Sequence, residues 1–176
     1  MGSNGQEYQS ESPLYGLLNE VNTAASHDLP MIAIAMAVAL PDICVSLASS
    51  DGRTNPKRYK KWCQDNLGTE FSYVTPNDLY SIRCGVLHNG RFGDIKHSVE
   101  RVLFSLPKVG PQFVNCIVND AYIYSTVDFC KNFTEVVFRW CEANKNTEPV
   151  KTNMNRLMQY RFNGVYPYIT GFTVLA

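Results

Sequence analysis

Arg83 and His88 lie five residues apart near the end of one predicted helix, and their types suit chemistry on a phosphate ester. Cleaving RNA without a metal needs a base for the 2′-hydroxyl, an acid for the leaving oxygen and a cation for the charge that builds on phosphorus. Arginine fits the last role because its planar fork matches phosphate bidentately and stays protonated. Histidine fits either of the first two, being the side chain that titrates near neutral pH unaided. The last turn of a helix adds a negative pole that favours the imidazolium at His88. Ideal helix geometry opposes the pairing, since residues five apart point about 140° from each other. Arginine reach, fraying at Asn89-Gly90 or a second subunit must close that gap.

The element that carries the two residues has clear start and stop signals. Thr75 can cap it, Pro76 suits the first helical position, Asp78 completes a capping box, and Gly90 stops it. Leu79, Ile82, Val86 and Leu87 form one apolar stripe, with Arg83 inside it. An arginine on a core-facing line is costly unless it is paired or given a task. Two readings follow. In one, Arg83 faces a phosphate and His88 moves a proton. In the other, Arg83 pairs structurally with a buried acid such as Asp42, and His88 caps its own helix. Cys84 stands one turn before His88, so a thiolate–imidazolium nucleophile is a third arrangement; with no orienting third group visible, a structural cysteine is the plainer reading.

A second cluster flanks the expected start of the preceding helix. Arg53, Lys57, Arg58, Lys60 and Lys61 place five cations within nine residues, with no acid among them. Helix N-termini favour anions, so cations gathered there suit an anionic ligand such as an RNA phosphate. The alternative is that lysines 57, 60 and 61 solvate an amphipathic helix. Tyr59 and Trp62 on the same segment read as core rather than as base-stacking platforms.

The elements around these clusters follow from periodicity and breakers. A polar segment, residues 1–11, reads as disordered, and 12–176 as one domain with no internal boundary. Helices are expected over about 12–25, over 30–47 with a kink at Pro41, from Pro56 to about 67, over 75–90, over 127–143 and from Pro149 to about 158. Met31 to Leu40 is apolar on every face, which predicts a central, fully buried helix; ten residues fall short of the ~20 that span a bilayer. Residues 102–106, 113–118 and 121–125 are β-branched and aromatic, and predict a small antiparallel insertion at about 102–125 with a tight turn at Asn119-Asp120. The tail from Phe162 to Ala176 reads as extended and apolar, packing back on the domain.

Composition narrows the function classes. The 176 residues carry sixteen basic and sixteen acidic side chains, which argues against a protein that coats nucleic acid non-specifically but allows a local basic patch. Six cysteines form no CxxC pair, and no secretory leader is visible, so reduced thiols in a cytoplasmic protein are expected. Three scattered histidines, no glycine-rich phosphate loop and no nucleophile elbow point to no metal and no cofactor.

The stretch Leu79-Tyr80-Ser81-Ile82-Arg83-Cys84-Gly85-Val86-Leu87-His88-Asn89-Gly90 resembles the Arg-x4–6-His helix of the HEPN superfamily. Together with Pro41-Asp42-Ile43-Cys44, Asp51-Gly52-Arg53, Tyr59 to Trp62 and Asn163-Gly164, it resembles more closely an uncharacterised family of bacterial proteins, over about residues 30–171. That resemblance implies a predominantly α, α+β fold: a HEPN-like helical bundle, commonly dimeric, here with a small antiparallel β insertion. It also implies Arg83 and His88 at the catalytic positions of a metal-independent endoribonuclease, or an RNA-binding relative. Active members usually carry a polar residue directly after the arginine, where this chain has Cys84. The competing expectation is a non-catalytic helical interaction or dimerisation module in which Arg83 and His88 are structural. RNA and a second copy of the chain are the expected partners, with no membrane.

Overall fold

In the computed structural model, residues 12–92, 101–106 and 113–176 are described; the expected disorder of residues 1–11 lies outside them. The order of elements is α1 (Pro13–Ser26), α2 (Pro30–Leu47), α3 (Pro56–Asn66), a 3-10 turn (Thr69–Phe71) and α4 (Pro76–Cys84), which continues into a π turn (Gly85–Asn89). Then come β1 (Arg101–Ser105), β2 (Cys116–Val118), β3 (Ala121–Ser125), α5 (Thr126–Asn144) and α6 (Val150–Met154). Four two-residue strands finish the chain: β4 (Tyr160–Arg161), β5 (Gly164–Val165), β6 (Ile169–Thr170) and β7 (Val174–Leu175). The class is predominantly α, α+β.

Helix starts follow the caps written in the sequence. Pro stands at the head of α1, α2, α3 and α4, where its missing N–H costs no hydrogen bond. The capping box of α4 is complete: Thr75 Oγ1 accepts from the Asp78 backbone N–H, and the Asp78 carboxylate accepts from the Thr75 backbone. On α5 the apolar residues recurring at three and four, Phe129, Phe133, Val136, Val137, Trp140 and Cys141, make one stripe, buried at all but the half-exposed Trp140. That stripe and the buried side of α1 pack on α2. Phe71, Phe129 and Phe133 stack edge-on at centroid separations of 4.6–5.7 Å, tying the 3-10 turn to α5.

Helix α2 departs from the expectation of a fully buried rod. Ala33, Ala37, Val38, Leu40, Cys44 and Leu47 are sealed, but Met31 is 83% exposed and Ile32 also faces out. The helix is central over its second half and projects at its start. It runs through Pro41 as one assigned helix of 18 residues. By length and composition alone it could cross a membrane, yet half of that span is buried against the rest of the domain.

The β insertion is mixed rather than wholly antiparallel. Its order is β1-β3-β2, and β3 pairs antiparallel with β2 across the Asn119-Asp120 turn but parallel with β1. Asn119 takes the left-handed conformation (φ 55°) that such a tight hairpin demands. Putting β3 in the centre buries Tyr122 and Tyr124 fully, and the Tyr124 hydroxyl donates to the Glu70 carbonyl at 2.8 Å. The C-terminal tail does not lie flat on the domain as expected. It pairs with itself, β4 with β7 and β5 with β6, as a hairpin arm. Helix α6 is also shorter than expected, ending at Met154.

Helix α6, which leads into the arm, is anchored by one buried side chain. Asn153 Nδ2 donates toward the carbonyls of Ser46, Leu47 and Ser49, at 3.4, 3.0 and 2.9 Å. The Leu47 carbonyl is among those a helix end leaves without an intrahelical partner; those of Ser46 and Ser49 also accept from the Ser49 and Gly52 N–H groups, at 3.2 and 3.1 Å. Replacing Asn153 by Ala therefore takes the side-chain donor from the Leu47 carbonyl and cuts the ties to its neighbours. The expected loss is about 2 kcal/mol of unfolding free energy, checked by urea denaturation followed by circular dichroism.

Candidate functional site

Arg83 and His88 do meet, and the backbone brings them together. After Cys84 the helix widens into the π turn, in which the Gly90 N–H reaches the Gly85 carbonyl five residues back; the Arg91 N–H donates to the same oxygen at 3.1 Å. A π turn carries more residues per revolution than an α turn, so the fifth residue returns toward the first. The 140° divergence expected of an ideal helix is thereby removed: Arg83 Nη1 lies 3.1 Å from His88 Nε2. Gly90 then closes the helix at φ 64°, in the left-handed region that favours glycine.

Arg83 is also held from below. Its Nε donates to Asp42 Oδ2 at 2.6 Å, with only 19% and 14% of the two side chains exposed. Asp42 is the only charged residue of α2, and its other oxygen, Oδ1, accepts from Thr54 Oγ1 at 2.9 Å. Burial works against the charged guanidinium, but the Asp42 hydrogen bond and charge outweigh it, and the Arg83 pKa is raised above its ordinary value. Arg83 pairs with Asp42, and its far end reaches an exposed His88. Arginine can only donate, so His88 Nε2 takes the acceptor role in this contact.

Two neighbours were not singled out by sequence reasoning. Thr54 and Asn55 are adjacent candidates for the α3 cap; Asn55 Oδ1 takes that task, accepting from the Arg58 backbone at 2.9 Å. The Thr54 hydroxyl is thereby available to Asp42. One helix needs one cap, so the second of two adjacent cap residues was the signal. Tyr80 is the other: its ring meets Tyr59 edge-on at 5.3 Å, and Lys60 Nζ sits 5.2 Å above it. Burial first, and then a hydrogen bond with Cys84, raise the Tyr80 pKa. Cys84 is therefore engaged with Tyr80, and His88 with Arg83, which is not the arrangement of a Cys84–His88 nucleophile.

The five cations of the basic stretch do not form one patch on Arg83. Lys60 lies on the α4 side, above Tyr80. Arg58 is committed to its own loop, donating to Ser49 Oγ at 2.8 Å, Asp51 Oδ1 at 3.3 Å and the Arg53 carbonyl at 3.0 Å. With Ser49 and the Arg53 backbone it holds the Asp51 carboxyl down at about 2, the Ser49 bond being the largest cause. Lys61 pairs with Asp65 at 2.7 Å. Lys57, Arg58 and Lys61 line an open concavity of about 690 Å³ with Asn55, Trp62 and Trp140, and Arg53 is exposed on the loop between. Tyr59 and Trp62 are core, as expected; the Tyr59 hydroxyl donates to the Val38 carbonyl at 2.9 Å. Among the described residues, no three His, Cys, Asp or Glu side chains gather as a metal site.

Comparison with family models, curated proteins and solved structures returned no match for this chain. The assignment of a role rests on the cluster itself.

The chain Thr54–Asp42–Arg83–His88 has a measurable hierarchy. Asp42→Ala leaves a half-buried guanidinium without its counter-charge and is expected to cost about 3 kcal/mol. Thr54→Val removes one hydrogen bond to the same carboxylate and is expected to cost about 1 kcal/mol. Equal and negligible losses in chemical denaturation would show that the pair does not hold α2 and α4 together.

Proposed function

We propose that the Arg83–His88 cluster binds an RNA phosphate and that the protein is a metal-independent endoribonuclease of HEPN-like type. The observation that carries this reading is the 3.1 Å contact between a donor-only guanidinium and an exposed imidazole nitrogen in the turn that follows α4. Such a nitrogen is a ready base. His88 Nε2 takes the proton of the 2′-hydroxyl, whose oxygen then attacks the adjacent phosphorus. Arg83, its Nε kept in place by Asp42, turns Nη1 from His88 to the phosphoryl oxygens and stabilises the pentacoordinate charge. The 5′-oxygen leaves with a proton, giving a 2′,3′-cyclic phosphate and a free 5′-hydroxyl. One motif supplies the base and the cation; the acid comes from the motif of a second copy. Lys60, above Tyr80, is the cation of the basic stretch best placed to attract the neighbouring phosphate, with Arg53, Lys57, Arg58 and Lys61 spread along the flank as a weaker electrostatic guide.

The second reading has its own support. The Arg83–Asp42 bond is short, half-buried and shared with Thr54, which is what a structural ion needs and more than a phosphate site requires. On that reading the chain is a helical interaction module, and His88 merely completes the end of α4.

Cleavage assays in EDTA on fluorescent RNAs separate the two. The wild type is expected to release products ending in cyclic phosphate. His88→Ala and Arg83→Lys are each expected to lower the rate by about 10²–10⁴-fold. His88 is exposed, so its variant is expected to melt like the wild type. A wild type inactive on varied RNAs, or a His88→Ala protein as active as the wild type, would leave the interaction module standing.

A further inference from the structure

The C-terminal arm exposes far more apolar surface than a hairpin in water sustains. From Leu157 to Ala176 the sequence contains a single charged residue, Arg161. Five aromatic side chains stand out from it: Tyr160 at 57% exposure, Phe162 at 76%, Tyr166 at 86%, Tyr168 at 87% and Phe172 at 66%. At roughly 200 Å² per aromatic side chain they expose on the order of 700 Å². The largest apolar patch of a typical monomer is about 300–600 Å².

The arm's backbone is equally unfinished. Beyond Gln159 and Ala176, which exchange two hydrogen bonds at 2.9 and 3.0 Å, its strands pair only with each other. A lone two-stranded hairpin is marginal by itself, and each outer edge offers unpaired N–H and C=O groups to a further strand. Where the arm leaves the body, Tyr160 and Leu175 face each other in register. With Phe162 they border an apolar groove of about 530 Å³ against Leu17, Met36 and Ile43. Tyr160 also donates to Glu20 at 2.9 Å, which sets the arm's angle to α1.

We infer that this arm and the groove at its root form the surface through which two copies of the chain associate. The area decides for a protein partner: a standard interface removes about 800 Å² from each side, and the arm's aromatics alone approach that. The near absence of charge decides for a second copy over a transient partner. Interfaces between permanently associated identical chains are the ones whose centres are stripped of charge and rich in aromatics. A two-fold pair also satisfies the open edge without a foreign strand, because a strand edge meets its own copy antiparallel. The ribonuclease reading also calls on a second copy, but the arm's surface is argued without Arg83 and His88.

Sedimentation velocity on the full chain tests it. The wild type is expected to dimerise at micromolar concentration. Phe162→Ser with Tyr166→Ser is expected to weaken association by about 100-fold, as loss of two central aromatics does, with unchanged far-ultraviolet circular dichroism. Met31→Ser, at the exposed start of α2, is expected to leave the dimer intact. In a protein of native sequence elsewhere, a photo-crosslinking amino acid at position 166 is expected to yield a covalent species of twice the mass, and the same residue at position 31 is not. A wild type that stays monomeric, a dimer that survives the double substitution, or crosslinking at 31 and not at 166 would each overturn the proposal.

Discussion

The Asp42–Arg83 ion pair is the interaction on which the geometry of the candidate site depends. Helix α2 is otherwise an apolar rod, and it carries its one charge where α4 crosses it. Placing a carboxylate and a guanidinium where less than a fifth of each is exposed has a desolvation cost. The pair offsets that cost with a 2.6 Å charge-assisted bond and a second donor, the Thr54 hydroxyl, on the remaining oxygen. Three segments, α2, the loop at Thr54 ahead of the α3 cap, and α4, are thereby fixed at one point. With Nε committed, the orientation of the guanidinium plane is set, and with it the direction in which Nη1 points.

What Nη1 meets is decided by a local backbone change rather than by tertiary packing. Had α4 continued as an α-helix, His88 would face away from Arg83. The π turn at Gly85–Asn89 restores the alignment. Such turns forfeit regular hydrogen bonding and persist where the surroundings favour them. Here the preceding residues are pinned by the ion pair and by the burial of Leu79 and Ile82, while Gly90 takes the positive φ that lets the chain leave. The contact between base and cation is therefore the product of a rigid half-helix and a flexible stop.

The surroundings divide the charges differently from their order in the chain. Helix α3 is amphipathic, so Lys60 turns toward α4 while Lys57, Arg58 and Lys61 turn the other way. Two of those three are already neutralised by Asp51 and Asp65. A run of cations in sequence is thus not a patch in space. The arm shows the reverse imbalance, with aromatic surface and almost no charge. The two features face different chemistry: one an anion, the other another apolar surface.

Local rules in the sequence determined the helices, their caps and most of the core, because capping boxes, prolines and 3.6-residue periodicity act within a few residues. The Thr75–Asp78 box, the α5 stripe, the buried Tyr59 and Trp62 and the Asn119 turn were all legible for that reason. The identity of Asp42 as the partner of Arg83 was legible as one of two readings, since an acid on an apolar helix and an arginine in an apolar stripe have few other ways to be satisfied. Tertiary structure alone decided that β1 joins β3 in parallel, that α2 begins in solvent, that Thr54 serves Asp42, and that the tail stands out as an arm. Each depends on which surface a segment meets, a long-range outcome that propensity does not encode. The meeting of Arg83 and His88 lies between the two: the residues were marked by type and spacing, but only the departure from α-helical winding put their side chains in contact.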